Sequence, residues 1–432
     1  MKKHIYVGAG ASALIAIVAL ATMVSGAIAR SGATPLPASS CSAIQNSGGK
    51  ILIASDLPLE GSGRSQTSQM TRAISFVFKR HNWQAGKYTL AYQSCDDATA
   101  QAGKWDSGKV SANANAYAQN SSVGGVIGTF NSGAAEILVP ILNRAANGPI
   151  AVVSPANTYV GLTHPGPGTV AGEPGKYYPT GKRNYVRVVA ADDYQGAADA
   201  VLTKTLGVKK VFILNDKEAY GLGVAINFRN AAKKLGLKVV GFTAWDGKAS
   251  SYEALAVKIK ASGATGVFLG GLICENGGKL IKDIRAGLPA STKIMAPDGF
   301  TPVSAVVQGA GTAAEGAYVS VAGLPNSQLK GAGTAFVKSF GRADHRPPDP
   351  YAVYAAQAAE VMVQAISQSN GTRADIAKQL FKVHLKGSIL GNVSFNANGD
   401  VTSNPVTIYK VKGGKSTTYK VIVPPKALVK AA

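Results

Sequence analysis

The chain is poor in the residues that most reactions need. Its 432 residues include three cysteines and five histidines, and the histidines (His4, His81, His164, His345, His384) are dispersed, none adjoining a serine or cysteine motif. There is no Gly-x-Ser-x-Gly elbow and no Cys-x-x-Cys pair, so neither a hydrolase nucleophile nor a redox site has its usual frame. Gly221-Leu222-Gly223 lacks the third glycine of a dinucleotide fingerprint, and several residues separate it from the preceding strand. These absences argue against an enzyme, and no cofactor or metal is expected. The Asp96-Asp97 pair invites a metal or acid–base reading, but adjacent residues on one turn diverge, so capping and loop ordering are the expected roles.

Acidic residues are also scarce: 23 Asp and Glu stand against 45 Lys and Arg, a formal charge of +22. The basic residues form no cluster interleaved with aromatics. Lysines such as Lys233, Lys234, Lys258 and Lys260 are scattered along helix faces instead, so nucleic acid is not an expected partner. Few carboxylates also leave few salt bridges to lose on acidification, and stability that holds from neutral pH into acid is the expectation.

What the chain does have begins with Lys2, Lys3, an apolar stretch from Ile5 to about Val24, and small residues at Ala27 and Ala29. That pattern predicts an export signal over 1–29, cleaved before Arg30; its length would also suit a retained membrane anchor. Residues 30–49, rich in Ser, Gly, Ala and Pro, read as a flexible tether. Ala38-Ser39-Ser40-Cys41 has a faint lipoprotein character but lies far from the apolar core. In an oxidising compartment a disulfide from Cys41 to Cys95 is the expected use, with Cys274 left as a thiol.

The length suggests two to three domains. Gly124 to Thr158 carries the clearest unit: an apolar run at Val126-Ile127, a polar turn from Thr129 to Gly133, a periodic helix from Ala134, and a second apolar run at Ile150 to Val153. This is a βαβ unit with parallel strands, and ligands of open parallel sheets sit beyond the strands' carboxyl ends. Asn131-Ser132-Gly133 at a helix start suits a carboxylate, although a plain helix cap would also explain Asn131 or Ser132. Similar strand–helix alternation runs from Ile51 to Asn120 and again from Tyr185 to Ala296, interrupted by an irregular, Pro- and Gly-rich loop from His164 to Asn184. The fold class expected is α/β, doubly wound, in two lobes.

Four motifs in order, GTFNSG at 128–133, SPANT at 154–158, DKEAYGLG at 216–223 and APDG at 296–299, resemble the branched-chain amino acid binding proteins of ABC importers. The resemblance spans roughly Lys50 to Val423. It implies a type I periplasmic binding protein fold: two lobes joined by three crossings, with 50–187 and 318–391 in the first and 188–317 and 392–423 in the second. It further implies a monomer that delivers a small solute to membrane permease subunits in the periplasm or cell envelope. By the same resemblance Ser132, Gly133 and Thr158, with backbone near Ala156, would hold a ligand carboxylate. Tyr220 would close from the second lobe and Asp298 would hold an ammonium, unless Asp298 only caps the helix after Pro302 or orders its own turn. Phe130, Asn131, Leu272 and Ile273 would flank the side chain, and Arg64, in the first cleft loop, would bring a charge within reach. Leu272 and Ile273 stand where the family often has aromatics, which leaves the solute open: an amino acid, an amide or urea, or an amine-free carboxylate. A ligand-sensing receptor component is the alternative use of the same fold.

Overall fold

A computed structural model describes Gly32–Val429; the expected export signal lies outside the described residues. The first lobe begins with β1 (Ile51–Leu57), α1 (Arg64–Arg80), β2 (Gln84–Ala85) and β3 (Tyr88–Asp96). A small hairpin of β4 (Ala98–Thr99) and β5 (Lys104–Trp105) precedes α2 (Ser107–Gln119), β6 (Val123–Gly128), α3 (Ser132–Asn143), β7 (Ala151–Ser154) and β8 (Tyr185–Arg187). The chain then crosses into α4 (Asp192–Thr205), β9 (Lys210–Asn215), α5 (Ala219–Lys234), β10 (Lys238–Ala244), α6 (Glu253–Ala261), β11 (Gly266–Gly270), α7 (Gly278–Gly287), β12 (Lys293–Ala296), α8 (Val303–Ala310) and β13 (Tyr318–Val321). It returns for α9 (Ala332–Ala343), α10 (Pro350–Ser367), α11 (Arg373–Leu380) and the hairpin β14 (His384–Ser388) and β15 (Gly391–Ser394). Finally β16 (Val406–Lys412), β17 (Lys415–Ile422) and α12 (Lys426–Val429) close the second lobe.

Besides the two hairpins, two large sheets result, ordered β2-β3-β1-β6-β7-β8 and β10-β9-β11-β12-β13-β16-β17. In the first, β1 pairs in parallel with both β3 and β6, and all seven of its residues are buried, as a central strand covered by helices on both faces must be. Met70, Ala73, Ile74, Val77 and Phe78 give α1 its buried stripe, with Lys79 and Arg80 at the carboxyl end of the helix dipole.

The structure departs from the sequence expectation in three places. Residues 32–49 are not a loose tether. Ser42 N donates to Ser94 O and Gln45 N to Tyr92 O, both at 2.8 Å, Cys41 is disulfide-bonded to Cys95, and Leu36 is buried. The segment extends the free edge of β3, which its composition conceals. The crossings are also displaced: β13 (318–321) pairs with β12 and β16 in the second sheet, so the chain leaves that lobe after Val321. Strand 391–394, assigned from sequence to the second lobe, forms a hairpin with β14 instead. Lastly, Ser250 and Glu253 have the spacing from which a capping box is expected, but none forms: Glu253 N is held by Ser251 Oγ at 3.2 Å and Tyr252 N by Asp283 Oδ2 at 2.9 Å.

The first and third crossings meet at a buried charge cluster. Fully buried Arg187 donates through Nε to Asp400 Oδ1 at 2.8 Å and through Nη1 to the Tyr159 carbonyl at 2.8 Å. His164 lies between Asp400 (3.1 Å) and Asp193 (3.2 Å). Burial works against its charge, yet these two hydrogen bonds prevail and push it up to about 9. The irregular loop thus has a structural use at its start. Further along, its Pro167 carbonyl accepts from Asn227 Nδ2 of α5 at 2.9 Å, tying the loop to the second lobe.

Candidate functional site

The polar turns at the carboxyl ends of β6, β7, β9, β11 and β12 converge between the lobes. There Phe130, Asn131, Ser132, Ala156, Thr158, Tyr220, Leu272, Asp298 and Gly299 line a small cavity of about 20 Å³. Larger hollows exist on the first lobe, one of about 780 Å³ lined by the N-terminal segment, α1 and α9. We place the site in the cleft because strand-end turns of both lobes meet there around buried polar groups.

Each wall has a local cause. Asn131 is the residue before α3, and its side chain makes no cap bond, so capping does not account for it. Ser132 opens the helix, and its Oγ accepts from Tyr159 N at 3.3 Å. Ser154 Oγ accepts from Asn157 N at 2.8 Å and donates to the Thr129 carbonyl at 3.1 Å; it shapes the SPANT turn from behind rather than lining the cavity. Thr158 is buried, and its hydroxyl is directed to the Asp192 carboxylate, which is buried as well.

Opposite stands Asp298, 5% exposed. Tyr220 donates to its Oδ1 at 2.6 Å, and Tyr351, from α10 of the first lobe, donates to its Oδ2. Tyr220 Oη in turn accepts from Gly299 N at 2.7 Å. Burial raises the Asp298 carboxyl above its usual range while the two phenols oppose that shift. The helix-cap explanation fails: Pro302, not Asp298, precedes α8, and no side chain caps that helix. None of the residues lining the cavity is basic, in a chain with an excess of basic residues. The cavity therefore offers hydroxyls and a helix amino terminus on one side and an acid on the other.

Eight of the eleven ligand residues expected from sequence line this one cavity. Gly133 stands one residue behind, with its Cα against the Trp105 ring: a Cβ there would lie 2.7 Å from Cζ2. Ile273 is buried beside Leu272 but packs into the second lobe's core. Arg64 does not reach the cavity. It is exposed at the start of α1 in a separate hollow with Arg72, Gln308 and Arg346, because the helix already begins at Arg64, ahead of its apolar stripe. Sequence reasoning missed Tyr351, which also meets the Phe130 ring edge-on at 5.6 Å. It missed Gln66 as well, whose Nε2 donates across the cleft to Thr301 Oγ1 at 3.2 Å. Both sit within helices, where an aromatic or a glutamine carries no signal of its own.

Two α/β lobes, three crossings and a polar cavity between the lobes define a bilobal cleft protein. The model of the periplasmic binding protein family matches residues 50–416. The chain belongs to that family. It is 29% identical over 250 residues to an amino acid binding protein of Pseudomonas aeruginosa, a match covering 56% of this chain and 65%, just under two thirds, of that relative. Among solved structures, a leucine binding protein of Thermotoga maritima is 20% identical with a TM-score of 0.75, covering 87% of this chain and 99% of its own. A solute binding protein of Rhodopseudomonas palustris in complex with benzoate is also 20% identical, with a TM-score of 0.70, covering 87% and 97%. These two likenesses concern the fold.

Proposed function

We propose that the chain is the extracytoplasmic solute-binding protein of an ABC importer, taking a small amino acid or a related amine or amide carboxylate and delivering it to membrane permease subunits. The observation that carries this reading is Asp298, a buried acid with no basic residue in the cavity wall, set opposite Ser132 and Thr158. A buried carboxylate without a cation is unfavourable unless its charge is met, and a ligand ammonium meets it. The ligand carboxylate then takes the Ser132 hydroxyl, the Thr158 hydroxyl and the free N–H groups of the α3 amino terminus. With its two ends held by different lobes, the solute favours the closed state, and a permease reads closure as the loaded signal.

One observation favours a second reading. Asp298 already accepts from two phenols, so its charge is partly met within the protein. Together with the Phe130–Tyr351 ring pair, this would accommodate an amine-free aromatic carboxylate such as the benzoate held by the Rhodopseudomonas protein. A thermal-shift panel of amino acids, amides and small carboxylates separates the two. A solute at a hundred times its Kd adds ~2.7 kcal/mol of stability; the first reading expects responders only among carboxylates that also bear an amine or amide, and responders only among acids with neither group would replace it with the second.

A further inference from the structure

Lys104 lies outside the solute cavity, on the β4–β5 hairpin that interrupts the path from β3 to α2 on the first lobe. Two glycines seat this hairpin closely. A Cβ on Gly61, whose φ is +73°, would lie 1.7 Å from the Gly103 carbonyl oxygen, and the Trp105 ring rests on Gly133. From that seat Lys104 reaches the second lobe, where its Nζ is 3.0 Å from Glu218 Oε1 and also hydrogen-bonds Glu275 Oε1. Both acceptors are held in place. Glu218 immediately precedes α5. The Glu275 carbonyl accepts from Trp245 Nε1 at 2.8 Å, and its Oε2 fills space that a side chain on Gly247 would occupy, a Cβ there falling 2.3 Å away.

The cluster is partly screened from water: the three side chains are 29%, 19% and 16% exposed. An ion pair in that position feels ionic strength but is not abolished by it. It also adjoins the cavity through the chain. Glu218 is two residues before Tyr220, and Glu275 three after Leu272, so parting of the cavity walls carries these acids away from Lys104.

We propose that Lys104 is an interlobe latch, a charge clasp at the mouth of the cleft that holds the lobes together with or without solute and makes closure depend on ionic strength. The proposal stands independently of which solute is carried. It is tested by single-molecule energy transfer between dyes at K79C on α1 and V257C on α6, both exposed positions, in solute-free protein at low and high sodium chloride. Raising salt should open the parent protein, whereas K104M should be shifted toward the open state already at low salt, its closed-to-open ratio lower by about five-fold, and should respond little to salt. E218Q/E275Q should behave as K104M does, and K104E/E275K should recover part of the closed population. Melting curves establish that each variant is folded. If K104M and E218Q/E275Q keep the parent's closed population and salt response, the latch is refuted.

Discussion

Tyr351 of the first lobe donates its phenol proton to the same buried carboxylate, Asp298 of the second lobe, that Tyr220 holds at 2.6 Å. This bond spans the cleft, so it belongs to the closed state. Tyr351→Phe keeps the ring against Phe130 and removes only the donor. Because the lost bond is to a charged group, solute binding should weaken by about 1.5–3 kcal/mol, read by calorimetry. An unchanged Kd would show that the phenol plays no part in closure.

Ser132 supplies one of several donors to the expected carboxylate, since backbone N–H groups of α3 remain when its hydroxyl is removed. Ser132→Ala should therefore cost about 1–3 kcal/mol of binding, less than removal of the acid at the other end. A larger loss than that of the Asp298 variant would reverse the assignment of the principal anchor.

The disulfide between Cys41 and Cys95 joins positions 54 apart in sequence. The chain-entropy relation for a loop of this size gives a stabilisation of ~4 kcal/mol. C41S/C95S should show a clearly lower Tm and faster exchange of the amides of residues 33–46. Equal melting of the two proteins would mean that the hydrogen bonds to β3 suffice alone.

Stability should fall as pH rises from acid toward alkali, from two named groups. Burial pushes Asp56 up to about 7, against hydrogen bonds from Tyr117 and Asn113. A carboxyl raised above its unfolded value keeps its proton longer in the native state, so stability declines through pH 4 to 7. His164, held near 9 by Asp193 and Asp400, contributes stability that is complete below its unfolded value near 6.5 and is lost as pH climbs through 9. Asp400 acts oppositely: although buried, it is held well below the usual carboxylate range by Arg187 and His164, and its contribution is lost only as acid becomes strong. Chemical denaturation at pH 5, 7 and 9 should give decreasing stability, and His164→Gln should flatten the upper half of the curve. Rising stability from pH 5 to 9 would contradict both assignments.

Much of this was legible in the sequence, for a physical reason. Strand-end turns announce themselves, since an apolar run that stops at Thr129-Phe130-Asn131-Ser132 or Ser154-Pro155-Ala156-Asn157-Thr158 leaves polar groups where an open parallel sheet gathers its ligands. The rest was hidden because it depends on tertiary placement. Tyr351 looks like any apolar position of a helix, and nothing local says that its hydroxyl crosses a cleft. Arg64 misled because a charge near a cleft loop in sequence lies, in space, on the outside of the helix that loop begins. Residues 32–49 have the composition of a linker, yet alternate backbone bonds to β3 with a disulfide, and edge pairing of that kind has no compositional signature.

The central claim is that Asp298 is the counter-charge of the solute's amino group. It is tested most directly by calorimetric titration of the parent and of Asp298→Asn with an amino acid that responds in the thermal-shift panel, alongside the same acid lacking its amino group. The account predicts that the parent binds the amino acid far more tightly than its amine-free counterpart, and that the substitution lowers amino acid affinity by about 2–5 kcal/mol, as loss of one partner of a desolvated charge pair does. Equal binding of the amino acid by parent and folded variant, with the amine-free acid bound at least as well, would contradict it.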